Sequence, residues 1–344
     1  MRVLVAMSGG VDSSVAAALL VDDGHEVVGA TMKLWGGAGD SGCCSVADVE
    51  DARWVAQQLG LTHHVFNFTD DFEERVVAPY AAAHAAGRTP NPCIECNRHL
   101  KFDRFLERAT LLGFDAVATG HHARVTSDGG RYQLRRAADF AKDQSYVLSM
   151  LGQAQLARVL LPVGLLTKAE VREKAATLGL RTAAKPDSQD VCFITSTGGR
   201  EAFLGPRIAL HPGRVVDAAT GEQLGLVPAV ELVTVGQRRG MGGGGGERRY
   251  AVSVDVATST VVAGTAADVM AGQVSVDPAT VSWVDARVVP GTTVLAQVSA
   301  HGVAVAGTWE VDAVRWAEPQ RRVAPGQTVA LYDGDRVLGA ALAA

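Results

Sequence analysis

The chain has 344 residues, more than one ordinary domain holds, so we expect two or three domains. A hydrophobic share of 47% and a charged share of 20% are typical of a globular protein and exclude a disordered or fibrous chain. The net charge of −5 provides no global basic field, so charge alone does not predict a nucleic-acid partner.

The cysteines and the apolar segments indicate a cellular compartment. Five cysteines, an odd number, argue for thiols in a reducing environment rather than a disulfide framework. The first apolar run, residues 3–5, is too short for a signal peptide. Because no apolar segment is long enough to cross a bilayer, we expect a cytoplasmic protein with no membrane partner.

A glycine-rich turn follows that first run. Residues 3–5 predict a buried strand and residues 15–20 a helix, and between them stands a motif of the form S-G-G-x-D-S. A strand-to-helix turn presents unpaired N–H groups and the positive end of a helix dipole, which together bind anions. Any glycine-rich turn that opens a helix is the simpler interpretation. The motif resembles the loop of the PP-loop ATP pyrophosphatases, which implies cleavage of ATP to AMP and pyrophosphate.

Strands and helices alternate over the first two hundred residues. Strands are predicted at residues 26–32, 64–68 and 115–119, and helices at 46–59, 71–86 and 97–112. The apolar positions of the first of these helices are Val46, Val49, Trp54, Val55 and Leu59. The alternation predicts an α/β fold with a doubly wound parallel sheet. Ligands of such sheets bind at the carboxyl ends of the strands, where Ser8, Met32 and Gly120 fall.

The pattern changes after about residue 200. Val/Thr/Gly-rich runs at 211–217 and 232–238 predict short strands, and residues 242–246, all glycine, predict a flexible loop. Short alternating strands from about residue 274 predict a small barrel. We therefore expect a PP-loop ATP-binding catalytic domain at 1–203, a central β-rich adaptor domain at 204–273 and a C-terminal β-barrel at 274–344.

Arginines cluster locally although the chain is acidic overall. Each cluster alone is typical of a solvated face, but together they leave room for a polyanionic partner. The clusters are Arg131, Arg135 and Arg136; Arg238 and Arg239; Arg248 and Arg249; and Arg321 and Arg322.

The cysteines admit four interpretations. Pro90 and Pro92 predict that Cys93 and Cys96 lie on a loop entering a helix near Asn97, where the helix dipole favours a thiolate. Zinc binding with the adjacent Cys43 and Cys44, a thioredoxin-like redox pair and plain buried thiols are three hypotheses. The fourth is sulfur transfer, in which one cysteine carries a persulfide and another closes a disulfide, roles that Cys96 and Cys192 fit.

Ordered sequence blocks make the resemblance specific. Over essentially its whole length the chain resembles the bacterial tRNA-specific 2-thiouridylases of the MnmA type. The matching blocks are residues 8–14, 89–102, 118–121, 142–146, 162–172, 187–194 and 236–240.

The resemblance implies a defined reaction. ATP, with Mg²⁺, would adenylate the C2 oxygen of the wobble uridine of tRNA, and sulfur would then replace that oxygen. Cys192 would carry the persulfide and Cys96 would be the nucleophile that forms a transient disulfide with it. The sulfur would come from a cysteine desulfurase or a sulfur-relay protein, and no permanent metal is expected.

The resemblance also assigns binding residues. The ATP site would comprise Ala6, Met7, Ser8, Gly9, Gly10, Val11, Asp12, Ser13, Met32 and Gly120. The target base and the tRNA would be contacted by Asn91, Pro92, Cys93, His121, Lys142, Asp143, Gln144 and Gln327.

One departure and two other classes of function stay open. Many relatives have Asp where this chain has Cys93, so either that acid is dispensable or Cys93 offers Cys96 a second partner. If the chain were another PP-loop enzyme, acting on a small carboxylate or on cytidine in tRNA, Cys192 and the β-rich part would have no role. An iron–sulfur thiolase of this superfamily would need three cysteines to hold its cluster. A non-catalytic RNA-binding or metal-binding module would release no pyrophosphate.

Overall fold

The computed structural model describes residues 1–35, 45–187, 191–194, 198–241 and 248–344. The strands are, in chain order, β1 (Arg2–Ala6), β2 (Glu26–Lys33), β3 (His63–Asn67), β4 (Ala116–Ala118), β5 (Ala123–Asp128), β6 (Arg131–Arg136), β7 (Val159–Leu160), β8 (Gly213–Asp217), β9 (Gln223–Val227), β10 (Tyr250–Asp255), β11 (Thr260–Gly264), β12 (Met270–Ser275), β13 (Ser282–Trp283), β14 (Thr293–Gln297), β15 (Val305–Trp309), β16 (Ala313–Arg321), β17 (Thr328–Asp333) and β18 (Arg336–Leu342). The helices are α1 (Val11–Asp22), α2 (Val46–Gln58), α3 (residues 69–85), α4 (residues 92–111), α5 (Gln153–Leu156), α6 (Lys168–Thr177) and α7 (Gly199–Leu204).

Five parallel strands form the N-terminal sheet, in the order β3-β2-β1-β4-β7. Val3, Leu4 and Val5 of the central strand are completely buried, as a sheet covered on both faces requires. The predicted doubly wound α/β fold is confirmed. Among the described residues, no helix is long and apolar enough to cross a membrane.

Helix α2 differs in detail from its prediction. Val55 is completely buried, but Val46 and Trp54 are exposed, so the apolar face of this helix is narrower than we expected. The Trp54 ring lies beneath the Arg181 guanidinium, whose Cζ is 5.9 Å from the ring centroid. A cation over its face lets a large aromatic ring remain at the surface.

The central β-rich region forms a four-stranded sheet in the order β10-β11-β8-β9. Strand β8 starts at Gly213, within the predicted segment 211–217. The prediction of a strand at 232–238 is wrong. Residues 230–232 form a single 3₁₀ turn, and Gln237 closes a second turn by donating its N–H to the Thr234 carbonyl (2.9 Å).

The C-terminal strands form an antiparallel sheet that closes on itself. The order β12-β16-β15-β14-β17-β18 returns to its start through a bridge between Val276 and Ala343. The predicted C-terminal barrel is thus present. The sequence did not predict that the β5–β6 hairpin, from the N-terminal part of the chain, extends this sheet by pairing Arg135 with Arg336.

The same hairpin corrects the interpretation of one arginine cluster. Arg131 forms an ion pair with Asp285, and Arg135 contacts Asp335 at 2.6 Å. Arg136 is buried, contacts Asp143 at 2.7 Å and stacks over the Tyr332 ring at 3.8 Å. These arginines therefore hold the N-terminal domain to the barrel.

Other parts of the predictions cannot be compared with the structure. The glycine run 242–246, Cys43 and Cys44, and Ser188 and Gln189 of the Cys192 motif lie outside the described residues.

Candidate functional site

The loop between β1 and α1 is shaped by its glycines. Gly9 has a φ of +70°, and a Cβ there would lie 2.2 Å from the Asp48 carbonyl oxygen at the start of α2. Ser13 Oγ accepts the Ser8 N–H at 3.2 Å and donates to the Gly10 carbonyl at 3.1 Å. The loop thus packs against α2 and leads directly into the first turn of α1, whose N–H groups precede the first intrahelical bond.

Asp12 lies at that first turn between His122 and Lys168. Its Oδ1 atom is 3.0 Å from His122 Nε2 and 2.7 Å from Lys168 Nζ. Burial opposes ionisation of Asp12, but the hydrogen bonds from His122 and Lys168 outweigh it, so the pKa of Asp12 is lowered. Asp12 is therefore a carboxylate at neutral pH.

Lys168 extends the network to Asp187. Lys168 Nζ is 2.8 Å from Asp187 Oδ1, and Asp187 also accepts from Lys142 and Arg172, each at 2.8 Å. Burial opposes its ionisation, but Lys142 and Lys168 more than compensate and lower the pKa of Asp187 to about 2. We did not identify Lys168 or His122 as site residues from the sequence. The available signal was position: Lys168 lies in the motif block 162–172, and His122 directly follows the block 118–121.

Gly120 and Met32 lie at the carboxyl ends of β4 and β2, the two parallel strands that flank β1. A Cβ at Gly120 would lie 2.5 Å from Ser13 N and 2.6 Å from the Asp12 carbonyl carbon. Gly120 therefore lets the end of β4 touch the first turn of α1. Met32 is buried, with 9% of its surface exposed, at the end of β2.

Cys93 and Cys96 lie on a helix, which corrects the predicted loop. Helix α4 begins at Pro92, with Asn91 as its N-cap, whose Oδ1 accepts the Cys93 N–H at 3.1 Å. Cys93 is exposed and Cys96 is buried. Cys96 opens a π-helical stretch, Cys96–Arg104, an irregularity that recurs at functional sites.

Cys192 borders the hydrophobic cluster that contains Cys96. Cys96 is a buried member of this cluster, half-buried Cys192 packs against it, and both are free thiols. The neighbouring Phe193 ring lies 5.5 Å from Phe72 and 5.6 Å from Tyr80, centroid to centroid. Burial raises the pKa of Tyr80, Arg200 opposes the rise and Cys93 adds to it. Tyr80 thus contacts Phe193 and lies within electrostatic range of Cys93.

Several residues assigned to RNA have internal partners. His121 is buried, its Nδ1 is 2.7 Å from Thr119 Oγ1, and burial first, then Lys101, lowers its pKa well below the ordinary value. The Asp143 carboxylate accepts hydrogen bonds from Arg136 and from the Ala137 N–H.

Lys142, Gln144, Asn91, Pro92 and Gln327 complete the assigned set. Lys142 is bound to Asp187, and Gln144 Oε1 accepts the His122 N–H at 2.8 Å. Asn91 caps α4, Pro92 is buried, and Gln327 donates to the Thr89 carbonyl. Among the residues assigned to the base and the tRNA, Cys93 and Gln144 are thus exposed, and Lys142 is half-buried.

Within the described ranges, no group of three or more His, Cys, Asp or Glu side chains is arranged to hold a metal ion. The site therefore combines a glycine turn at the start of a helix, a carboxylate held by Lys168 and His122, and two thiols at one hydrophobic cluster.

Three family models together match most of the chain. Residues 1–196 match the tRNA methyl transferase HUP domain, 201–265 the tRNA methyl transferase PRC-barrel domain and 281–343 the aminomethyltransferase beta-barrel domain. The fold and the site thus define an enzyme with a PP-loop (HUP) domain followed by two β domains.

Curated relatives specify the family. The chain is 46% identical to the tRNA-specific 2-thiouridylase MnmA of Chloroflexus aurantiacus, over 98% of this chain and 97% of the relative. It is 48% identical to that of Mycobacteroides abscessus, over 99% of each. Among solved structures, the U34-tRNA thiolase NcsA of Methanococcus maripaludis matches 56% of this chain and 61% of its own with a TM-score of 0.37 and 18% identity. The chain belongs to the tRNA-specific 2-thiouridylase family, whose members are sulfurtransferases.

Proposed function

We propose that this protein makes 2-thiouridine at the wobble position of tRNA, using ATP and a persulfide. The observation that carries the proposal is that Cys96 lies within one hydrophobic cluster and Cys192 packs against the same cluster. A persulfide relay requires two thiols that can reach each other, and we propose that these two, from distant parts of the chain, fill those roles. Family membership supports tRNA as the substrate.

ATP would bind at the β1–α1 loop. The first-turn N–H groups of α1 suit the phosphates. Gly9 has no Cβ, which would clash with Asp48, so the loop backbone can pack closely against α2. Lys168 supplies a nearby cation, and Asp12 a carboxylate suited to Mg²⁺. The metal would neutralise phosphate charge. The chain's own contribution would be to hold the nucleotide by the loop, with Met32 and Gly120 near the adenine of ATP.

Adenylation makes the C2 oxygen a leaving group. The uracil C2 oxygen attacks the α-phosphorus of ATP and pyrophosphate departs. A persulfide on Cys192 then supplies its terminal sulfur to C2, and AMP leaves with the original oxygen. The Cys96 thiolate attacks the inner sulfur of Cys192, either before transfer, releasing sulfide, or after it, releasing the thiolated base. In both cases a disulfide between Cys96 and Cys192 results, and an external dithiol reductant must reopen it.

The tRNA would contact exposed cations of the two β domains. Arg238, Arg239, Arg321 and Arg322 are exposed on the β domains. Each phosphate contact adds to the salt dependence of binding, so tRNA affinity should fall steeply with salt. The target base would leave its stack in the anticodon loop, at a cost of a few kcal/mol.

Mass spectrometry of the product nucleosides tests the proposal. Undermodified tRNA is incubated with the protein, ATP, magnesium, cysteine, a cysteine desulfurase and a dithiol. We expect 2-thiouridine together with AMP and pyrophosphate. The appearance of 2-thiocytidine, or pyrophosphate without any thionucleoside, would contradict the substrate assignment.

A further inference from the structure

The segment that precedes α4 is held by the C-terminal barrel. The Thr89 N–H donates to the Pro325 carbonyl at 2.7 Å, and the Thr89 carbonyl accepts from the Gln327 side-chain amide. The backbone N–H and the backbone carbonyl of Thr89 are thus both bound by a single turn of the barrel, residues 325–327. The central region contributes as well, because Thr89 Oγ1 lies 3.4 Å from Thr234 Oγ1.

The turn that makes this contact is closely fitted and fixed from behind. Gly326 has a φ of +87°, and a Cβ there would lie 3.2 Å from Arg88 Cβ and 3.4 Å from Thr89 N. Gly326 donates its N–H to the Ala343 carbonyl at 2.8 Å, and Ala343 returns a bond of 2.8 Å to the Gln327 carbonyl. Because the barrel backbone holds both sides of the turn, the Gln327 amide has little freedom to leave Thr89.

Thr89 is connected to the nucleophile by a short, stiff path. Pro90 and Pro92 each fix one φ angle, and Asn91 between them caps α4 by accepting the Cys93 N–H. Cys96 lies one turn into that helix. A displacement of Thr89 therefore changes the start of α4 and with it the position of the Cys96 thiol.

From this geometry we propose that Gln327 is a positioning residue: by holding the Thr89 carbonyl it fixes the first turn of α4 and the Cys96 thiol before tRNA binds. The inference rests on the proposed function only in taking Cys96 as the nucleophile. It assigns Gln327 a role inside the enzyme in place of a direct contact with tRNA.

The test compares Gln327→Ala and Gln327→Leu with a matched control, Gln320→Ala. Gln320 lies in the same barrel, and its amide donates to the neighbouring Glu318 carbonyl at 3.0 Å. The first readout is the rate of Cys96 alkylation by iodoacetamide without tRNA or ATP. It is followed in the tryptic peptide 89–98, where fragment ions separate Cys96 from Cys93. Thermal unfolding checks that each variant is folded. Gln327→Leu retains most of the side-chain volume, so it serves as the test if Gln327→Ala does not fold.

We expect both Gln327 variants to raise Cys96 alkylation about fivefold, as loss of one hydrogen bond to a partly buried carbonyl allows, with Gln320→Ala like wild type. In the thiolation assay kcat should fall by a similar factor with KM for tRNA unchanged. Wild-type alkylation rates combined with a raised KM would overturn the proposal and make Gln327 an RNA contact. Because alkylation needs no turnover, absence of thiolation in the wild type would contradict the proposed function and not this inference.

Discussion

The Lys168 ammonium contacts both carboxylate oxygens of Asp12, at 2.7 and 2.8 Å. This pair joins the N-terminal turns of α6 and α1, two helices that lie far apart in the sequence. A cation is thereby held beside the β1–α1 turn, where we propose that ATP binds. Since Lys168 also contacts Asp187, this turn is connected to the part of the chain that leads to Cys192.

Replacing Lys168 tests whether this cation binds nucleotide. Lys168→Met should weaken ATP binding about 10- to 100-fold, the effect of losing a charge-assisted hydrogen bond to phosphate. Lys174→Met, on the exposed side of the same helix, is the matched control and should leave the affinity unchanged. Calorimetric titration with ATP measures both. Equal affinities for the two variants would show that Lys168 serves only to neutralise Asp12.

A methyl group at Gly120 tests the contact between β4 and α1. Gly120→Ala places a Cβ 2.5 Å from Ser13 N, so the first turn of α1 must move. ATP affinity should fall about tenfold or more, since overpacking at a backbone contact displaces the binding N–H groups. Gly272→Ala, where a Cβ meets nothing within 4 Å, is the control. Unchanged ATP titrations for Gly120→Ala would contradict the assigned loop.

Phe193 anchors the segment that bears Cys192. Its ring packs 4.9 Å from Phe203 and 5.6 Å from Tyr80, and Phe193→Ala removes those contacts. We expect thiolation to fall about tenfold or more with ATP affinity unchanged, because the two thiols lose their mutual alignment. Phe140→Ala, at an exposed ring, is the control. Full thiolation activity in Phe193→Ala would mean that the aromatic cluster does not position Cys192.

The buried His121 predicts a pH dependence of stability. Burial, and then Lys101, lowers the folded-state pKa of His121 well below the ordinary value, so near pH 5 to 6 the unfolded chain binds a proton that the folded chain does not. The contribution of neutral His121 to the free energy of unfolding is therefore fully present above the unfolded-state pKa of about 6.5, and it is lost as pH falls below that value.

His121→Gln removes that proton uptake on unfolding. Its deficit in Tm against wild type, measured by calorimetry, should therefore be largest near pH 7.5 and shrink toward pH 5. The exposed His301→Gln should show no such trend. A deficit for His121→Gln that stays constant with pH would show that His121 does not resist protonation.

The parallel sheet and its loop were predictable because their signals are local. Buried runs such as residues 3–5 end in a glycine turn, and sequence order alone then fixes a parallel α/β arrangement. The start of α4 was misplaced for an equally local reason. Pro92 was taken as a sign of a loop, yet proline is favoured at the first helical position, where its missing N–H costs nothing.

The sequence did not predict which residues distant along the chain form contacts with each other. Arg135 and Arg136 have the composition of a basic surface, and only the fold shows that Asp335, 200 positions from Arg135, neutralises part of it. The contact of Gln327 with Thr89 spans 238 positions and has no periodicity to reveal it. The sequence identified those candidate site residues that lie in the motif blocks, but it did not reveal their hydrogen-bond partners inside the protein.

Thiolation by cysteine variants tests the central claim most directly. The nucleoside assay is run with wild type, Cys96→Ser, Cys192→Ser and, as the matched control on the same helix, Cys93→Asp, with nucleotide and tRNA binding measured in parallel. The account predicts 2-thiouridine from wild type and Cys93→Asp, and none from the other two, which still bind ATP and tRNA. Normal 2-thiouridine yield from Cys96→Ser or Cys192→Ser would contradict the relay between these two thiols.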